Sequence, residues 1–219
     1  MKPTRAGAGM TLVEMMVVVA VVGVLATLAV VEGLYGIGRA KLNNATWEIA
    51  ALGSVAQMRA TGRGFPNYLL FYQSGDETGV VHFERDERSG IVDPAWSSVD
   101  PKDPSTFAAA GVAVRVHDRL RFTGAWGRKG LRFEPLSGFP TLQPPYSAIG
   151  RDPAGGNGSV LGAIRYAPDG TASIETGPAA ARIAGGAVAL AADRPGEPGL
   201  PRLIAFSVPT GAVNVIRRN

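Results

Sequence analysis

The chain has 219 residues, enough for one domain or for one domain with a membrane anchor. Its 29 glycines and 16 prolines suit a loop-rich β domain better than a helical bundle. With no cysteine it can form neither disulfides nor thiolate metal sites, and a net charge of +4 is too small to indicate nucleic-acid binding by itself.

The first element of the chain is an apolar run close to the N-terminus. Residues 15–31 read MMVVVAVVGVLATLAVV, and a helix over residues 10–31 would be about 33 Å long, the thickness of one hydrocarbon core. The leader at residues 1–9 carries Lys2 and Arg5, which favours a cytoplasmic N-terminus. Small residues precede the run, whereas the cleavage site of an ordinary signal peptide follows it. A conventional signal and a plain signal anchor remain alternatives.

Glu14 stands at the head of this apolar run. Insertion scales put the cost of an acid at the centre of a membrane helix at about 2.5–3.5 kcal/mol. Neither a signal peptide nor a plain anchor explains that cost. The sequence therefore predicts a partner that compensates the carboxylate.

The stretch GMTLVE from Gly9 to Glu14, followed by the apolar run, resembles the processing site of type IV prepilins. The resemblance implies that a prepilin peptidase cuts between Gly9 and Met10, and that Met10 is then N-methylated. It also implies that Glu14 pairs, during filament assembly, with the N-terminal amine of a neighbouring subunit, which would be the missing cation. Many major pilins have proline where this chain has Val31, so the kink found there in the family does not carry over.

Residues 32–62 read as an amphipathic continuation of the helix. Gly33, Gly36 and Gly38 each cost about 1 kcal/mol of helix propensity, so they indicate either a looser helix or close packing against a neighbour. Beyond them, one apolar stripe predicts the seat of a β-sheet: Leu42, Ala45, Ile49, Leu52 and Ala56. A second, narrower stripe follows: Trp47, Val55 and Met58.

Residues 63–219 form a predicted β-rich head. Alternating or β-rich runs predict strands at 68–72, 80–83, 112–116, 120–122, 131–133, 160–166, 171–174, 188–191, 203–208 and 213–216. PDGT at 168–171 and PTGA at 209–212 are hairpin-type turn signals. Proline- and glycine-rich loops are predicted at 86–108 and 136–158.

Three stretches resemble the GspH/FimT branch, which includes FimU-like minor pilins and pseudopilins: AQMRATGRGFPNYLLFY, IRYAPDGTASI and PRLIAFSVPTGAVNVI. The resemblance implies an α+β, pilin-like fold. In that fold a long N-terminal helix, half membrane-spanning and half amphipathic, packs on a C-terminal antiparallel β-sheet or sandwich. The branch commonly has arginine after the glycine of its last turn, and this chain has Ala212, so that arginine's role does not carry over.

Catalytic and metal chemistry find little support. His82 and His117 are the only histidines, and no acid lies at metal-ligand spacing from them. We therefore expect both to be structural residues in or beside strands, and we expect no zinc site. Asp93, Asp100 and Asp103 fit no EF-hand spacing. We expect no enzymatic activity and no cofactor.

A basic and aromatic segment at 115–133 is the strongest remaining signal. Its cations are Arg115, Arg119, Arg121, Arg128, Lys129 and Arg132, and its aromatics are Phe122, Trp126 and Phe133. Cations beside aromatics can bind single strands or duplex backbone, and some competence pilins of this branch bind DNA. Arginine alternating with apolar residues is also typical of an ordinary amphipathic strand, so DNA binding is not the favoured interpretation.

The sequence thus predicts a minor pilin of a type IV pilus or a pseudopilin of a type II secretion system. Its partners would be the prepilin peptidase, other minor pilins with the major pilin or the pseudopilins, and the assembly platform. It would cross the inner membrane once, with a cytoplasmic N-terminus and a periplasmic head, before entering the pilus or pseudopilus. A DNA-binding competence pilin and a single-span anchored periplasmic binding domain are the alternatives.

Overall fold

The computed structural model describes residues 11–75, 77–86, 100–107, 113–122, 130–134, 160–176, 181–183, 185–192, 201–207 and 210–217. Inside these ranges, no side chain is described for residues 31–38, 104, 160–161, 175–176, 181–183, 185, 192 and 217.

Helix α1 runs from Leu12 to Arg63 and is continuous over 52 residues. Its backbone stays helical through the glycine segment at 33–38. Thr11 caps the N-terminus, and Gly64 ends the helix in the left-handed conformation, with φ +74° and its N–H donated to the carbonyl oxygen of Ala60. Glycine takes that conformation without a steric penalty, which explains the sharp stop before β1.

The described strands are β1 Asn67–Ser74, β2 Glu77–Arg85, β3 Val114–Arg121, β4 Leu131–Glu134, β5 Val160–Tyr166, β6 Ala172–Thr176, β7 Ala181–Ile183, β8 Gly185–Ala192, β9 Arg202–Ser207 and β10 Val213–Arg217. Within the described residues they form two antiparallel sheets, in the orders β3-β2-β1-β5-β6-β7 and β10-β9-β8-β4. The first sheet therefore contains β1–β3 and β5–β7, and the second contains the last three strands, β8–β10, together with β4.

One core joins both sheets to the helix. The predicted stripe from Leu42 to Ala56 is buried in it, beside Leu69 and Phe71 of the first sheet and Ile204 and Phe206 of the second. Phe71 meets Phe206 edge to face, with ring centroids 5.7 Å apart. The α+β, pilin-like fold class is confirmed.

A second apolar cluster covers the far face of the first sheet. Tyr68 stacks on Phe83 with centroids 5.1 Å apart, and Phe83 contacts Phe107 at 5.0 Å. Phe107 belongs to a short 3₁₀ helix, Pro104–Phe107, in the segment that was predicted to be a plain loop. A four-residue helix of this kind carries too little periodicity to be recognised in the sequence.

Two strand predictions were wrong. The separate strands predicted at 112–116 and 120–122 are one strand, β3, which contains a bulge: His82 pairs with Asp118 and Phe83 with Val116, so His117 is the extra residue. The bulge breaks the alternation of side chains, and that break resembled a gap between strands. Strand β7 was missed, because three residues held by pairing with β6 carry no local pattern of their own.

The second helix stripe does not join the core. Trp47 and Met58 are both 64% exposed. Their spacing is helical, as predicted, but it places them on the face that points away from both sheets.

Candidate functional site

The N-terminal end of α1 is closed by a capping box. The Glu14 carboxylate oxygen Oε2 accepts the backbone N–H of Thr11 at 2.8 Å and the Thr11 hydroxyl at 3.0 Å. In return the backbone N–H of Glu14 donates to Thr11 Oγ1 at 3.3 Å. Each side chain thus satisfies a donor that the first helical turn would otherwise leave free.

Glu14 therefore has a partner inside its own chain. We expected compensation to require an amine that exists only after cleavage, and the capping box supplies part of it without any cleavage. The signal was present in the sequence, since Thr11 and Glu14 stand at the T-x-x-E spacing of a capping box. Gly9 and Met10 lie outside the described residues, so pairing between Glu14 and a neighbour's amine stays a prediction.

The segment that follows is a membrane-length apolar helix. Within the described residues, Leu12–Val30 is the one segment long and apolar enough to cross a membrane, with a mean hydropathy of 2.5 and none of it buried against the head. Its large side chains are exposed on all sides of the helix, for example Leu12, which is 76% exposed, and Val19, which is 67% exposed. Such a surface is stable only in lipid or against other helices.

Comparison with known protein families identifies this end of the chain. The prokaryotic N-terminal methylation motif matches residues 4–30. The segment is a type IV pilin signal. Such a signal is processed by a prepilin peptidase and serves pilus-type machinery, and together with the apolar helix it indicates a pilin-type N-terminus that is long enough to anchor the chain in a membrane. No curated protein and no solved structure matched the chain.

Beyond the anchor, α1 presents an uncharged exposed face, here called the outer stripe. Its members recur at spacings of three or four residues, so they share one side of the helix: Ala40, Asn44, Trp47, Ala51, Ser54, Met58 and Gly62, all exposed. The charged residues of this half lie beside the stripe, at positions 39, 41, 48, 59 and 63. A charge-free face of this length is unusual for a helix surface that stays in water.

Polar contacts hold α1 on the head at three levels. Asn43 Oδ1 accepts from Arg202 Nε of β9 at 3.2 Å. About four turns further along, Gln57 Nε2 donates to the carbonyl oxygen of Thr210 at 2.8 Å and to that of Gly170 at 3.2 Å. Near the end of the helix, Arg63 pairs with Glu84 of β2 at 3.1 Å.

The two histidines lie together beneath the C-terminal end of α1. Their ring centroids are 5.1 Å apart. His82 is buried, and its Nε2 donates to Asn67 Oδ1 at 2.9 Å, while Asn67 Nδ2 donates to the carbonyl oxygen of Phe65 at 3.0 Å. His117 Nδ1 accepts from Arg59 at 2.8 Å, and His117 Nε2 donates to Glu84 at 3.3 Å.

These contacts assign His117 as a neutral ring. Arginine has no acceptor, so Nδ1 of His117 must carry a lone pair and its proton must lie on Nε2. Burial, and then the neighbouring His117 ring, lower the pKa of His82 to about 4. Burial also lowers the pKa of His117, aided by Arg59 and opposed by its hydrogen bond to Glu84. The pair was expected to be structural from the sequence, but its proximity depends on the bulge at His117.

The basic segment divides between the two sheets. Arg115, Arg119 and Arg121 lie on β3, at one edge of the first sheet, whereas Arg132 lies on β4, at one edge of the second. Arg128 and Lys129 fall outside the described residues.

Most of the described arginines of this segment already bind a carbonyl or carboxylate oxygen of this chain. Arg119 Nη2 donates to the carbonyl oxygen of Pro101 at 2.7 Å, and Arg121 pairs with Glu77 at 3.4 Å. Arg132 pairs with Glu134 at 3.2 Å. Phe122 and Phe133 are buried in the core and cannot stack on bases. DNA binding by this segment stays an untested prediction.

Asp100 and Asp103, two of the acids considered above as calcium ligands, form local turns. Asp100 Oδ1 accepts the backbone N–H of Lys102 and Asp103 Oδ1 that of Ser105, both at 2.9 Å. Hydrogen bonds from Ser105, first from its side chain and then from its backbone N–H, lower the pKa of Asp103. Asp93 lies outside the described residues. Among the residues that are described, no three histidine, aspartate or glutamate side chains come together as a metal site.

Proposed function

We propose that this protein is a minor pilin of a type IV pilus or a pseudopilin of a type II secretion system, of the GspH/FimT kind. The signal at residues 4–30 supports a processed, pilin-type subunit. The finer assignment rests on the sequence of the helix-to-strand junction and of the two closing turns at 168–171 and 209–212. The proposal gives the chain no catalytic step.

One observation carries the proposal: the membrane anchor and the seat of the head belong to the same unbroken helix, Leu12–Arg63. A plain anchor needs only a flexible connection to its domain. Here a helix that packs on the anchor along the side of the outer stripe is also brought against that stripe, because α1 is continuous between them. The subunit is therefore built to be positioned along its whole helix by its neighbours.

The outer stripe supplies the contact surface for such neighbours. Burying one large apolar side chain is worth about 1.5–3 kcal/mol, so covering Trp47 and Met58 would contribute substantially to docking. Ala51 and Ser54 between them are small enough for a second helix to approach closely. The proposed occupant is helix α1 of another subunit that carries the same type of N-terminal signal.

The N-terminus completes the proposed assembly. Cleavage between Gly9 and Met10 would create an amine, methylated on Met10, next to a carboxylate that is already oriented by Thr11. The capping box uses Oε2 of Glu14. Oε1 can therefore accept a hydrogen bond from that amine or from the N-terminal amine of a neighbouring subunit. Before cleavage the proposed prepilin lies in the inner membrane with its N-terminus in the cytoplasm.

Intact-mass analysis of protein extracted from native membranes tests the processing step. We expect a chain that begins at N-methyl-Met10, and a full-length chain for Gly9→Ala. The matched control is Gly7→Ala, which changes a leader glycine away from the bond and should leave cleavage intact. An unprocessed wild-type chain beginning at Met1 would refute the pilin proposal in favour of a plain anchored domain.

Site-specific photocrosslinking in the same membranes tests the assembly step. A photoreactive residue at Met58, on the outer stripe, should form adducts with proteins that carry a methylation-type signal. The same residue at Lys41, which is exposed beside the stripe, is the control. Equal labelling from both positions would count against the outer stripe as the contact surface.

A further inference from the structure

The contacts at the end of α1 converge on two groups of the head. The Arg59 side chain donates a hydrogen bond to Nδ1 of His117, and the Arg63 side chain donates one to Oε2 of Glu84. His117 Nε2 donates to that same oxygen. The last turns of the helix are thus held to β2 and β3 through one histidine and one carboxylate oxygen.

We propose that this cluster is an acid-sensitive latch, in which protonation of His117 releases the end of α1 from the β2–β3 edge of the head. It acts within a single subunit and does not depend on the proposed assembly. Its consequence is a change in how firmly the head is held on the helix.

The chemistry of the first contact requires the release. His117 Nδ1 can accept from Arg59 only as a lone pair. Once Nδ1 carries a proton, two N–H donors with positive charge face each other at 2.8 Å, and the contact must open.

The second contact weakens at the same time. A cationic His117 binds Glu84 more strongly, because its hydrogen bond becomes charge-assisted. Since Arg63 uses the same Oε2 atom, the two cations then compete for one acceptor. Both attachments of the helix end are lost or weakened by one protonation.

The groups that face the two rings favour protonation of only one ring while the latch is closed. Helix α1 contributes Arg59 and Arg63, and β1 contributes the uncharged Asn67. The charged groups of β2 and β3 are Glu84, Arg115 and Asp118. With the rings 5.1 Å apart, a proton on His117 opposes a second one on His82, which stays neutral until the helix end has moved away.

Acidification should therefore act in the window below the ordinary histidine value. The pKa of His117 is lowered from its ordinary value of 6.5 in the folded protein, so the closed latch is favoured above about pH 6.5 and loses stability as the pH falls below that value. Acid favours the released state because that state binds protons more readily than the closed state.

The full chain in detergent micelles allows a direct test, because it has two histidines and no cysteine. A spin label at Gly62→Cys reports on the helix end, where an added side chain meets nothing within 4 Å. The control label is at Ser54→Cys, an exposed position two turns earlier on the same helix. Ring signals of ¹³C-labelled histidine, assigned with His82→Gln, report protonation in the same samples.

We expect the label at 62 to gain a mobile component reversibly as the pH falls from about 7 to about 4.5, with the midpoint of the His117 signal. The label at 54 should not respond. Titration of His117 without a change at 62 would overturn the latch, and so would equal loosening at both labels, which would mean general unfolding. In His117→Gln the response at 62 should disappear, and its persistence would contradict the assignment.

Discussion

Gln57 and Thr210, 153 positions apart in the chain, are joined by a hydrogen bond of 2.8 Å from the side-chain amide to a carbonyl oxygen. The same nitrogen donates to the carbonyl oxygen of Gly170 at 3.2 Å. Gly170 lies in the turn between β5 and β6, and Thr210 in the turn between β9 and β10, so one helix side chain connects the closing hairpins of both sheets. The two turns that the sequence predicted at 168–171 and 209–212 are therefore both bound by the side-chain amide of Gln57.

Replacing Gln57 by glutamate should loosen this junction more than replacing it by alanine. Alanine removes two hydrogen bonds, each worth about 0.5–1.5 kcal/mol, and leaves carbonyl groups that water can reach. Glutamate keeps the shape but directs a carboxylate at two carbonyl oxygens and adds repulsion. Thermal unfolding followed by near-ultraviolet circular dichroism should order the proteins as wild type, Gln57→Ala, then Gln57→Glu. A Gln57→Glu variant as stable as wild type would show that the amide is not a connection between the sheets.

Substitution of Gly53 should destabilise the protein, whereas substitution of Gly62 on the same helix should not. A Cβ atom at position 53 would lie 3.0 Å from Tyr166 Oη and 3.1 Å from Val213 Cγ2, whereas one at Gly62 would meet nothing within 4 Å. Alanine gains up to about 1 kcal/mol of helix propensity over glycine. We expect Gly62→Ala to raise the melting temperature slightly and Gly53→Ala to lower it.

Tyr166→Phe combined with Gly53→Ala should recover part of that loss. The Tyr166 hydroxyl is buried with no described hydrogen-bond partner, and removing it takes away one of the two close contacts. A double variant no more stable than Gly53→Ala would indicate that Val213 alone limits the space at position 53.

Gly211 should be more sensitive than Gly64, although both have positive φ. At Gly211 φ is +71° and a Cβ would lie 2.8 Å from Tyr166 Cε1, while at Gly64 φ is +74° and the space is open. Alanine in the left-handed region costs about 1–2 kcal/mol at either site. Chemical denaturation of the two alanine variants should therefore give a clearly larger loss of unfolding free energy for Gly211→Ala. Equal losses would mean that backbone strain alone matters at the last turn.

Glu14→Gln should separate the two roles of this residue. A glutamine at the third helical position can still complete a capping box, so the start of α1 and cleavage at Gly9 should persist. It cannot neutralise an amine, so the mature chain should accumulate in the membrane and be depleted from sheared filaments, as measured by immunoblotting of both fractions. Thr11→Val is the complementary variant, since it removes the cap and keeps the charge. Normal incorporation of Glu14→Gln would exclude a charge-pairing role.

The features that the sequence by itself determined are those encoded over a few neighbouring residues. The processing signal, the membrane-length run, the buried stripe from Leu42 to Ala56 and the two hairpin turns depend on spacings of three to seven residues or on single turn residues, so pattern and composition specify them. Glu14's capping partner belongs here too, since it lies three residues away.

The tertiary structure decided everything that depends on which strands pair. The division into two sheets, the bulge that brings His117 beside His82, and the contacts of Gln57 with both turns join residues tens of positions apart. The short strand β7 lies close in sequence to its partner β6, but its three residues are a strand only through that pairing. Helical periodicity showed that Trp47 shares a face with other apolar residues, but only packing could show that this face lies opposite both sheets. The physical reason is that a stripe records which side chains point the same way, whereas burial depends on what the rest of the chain places there.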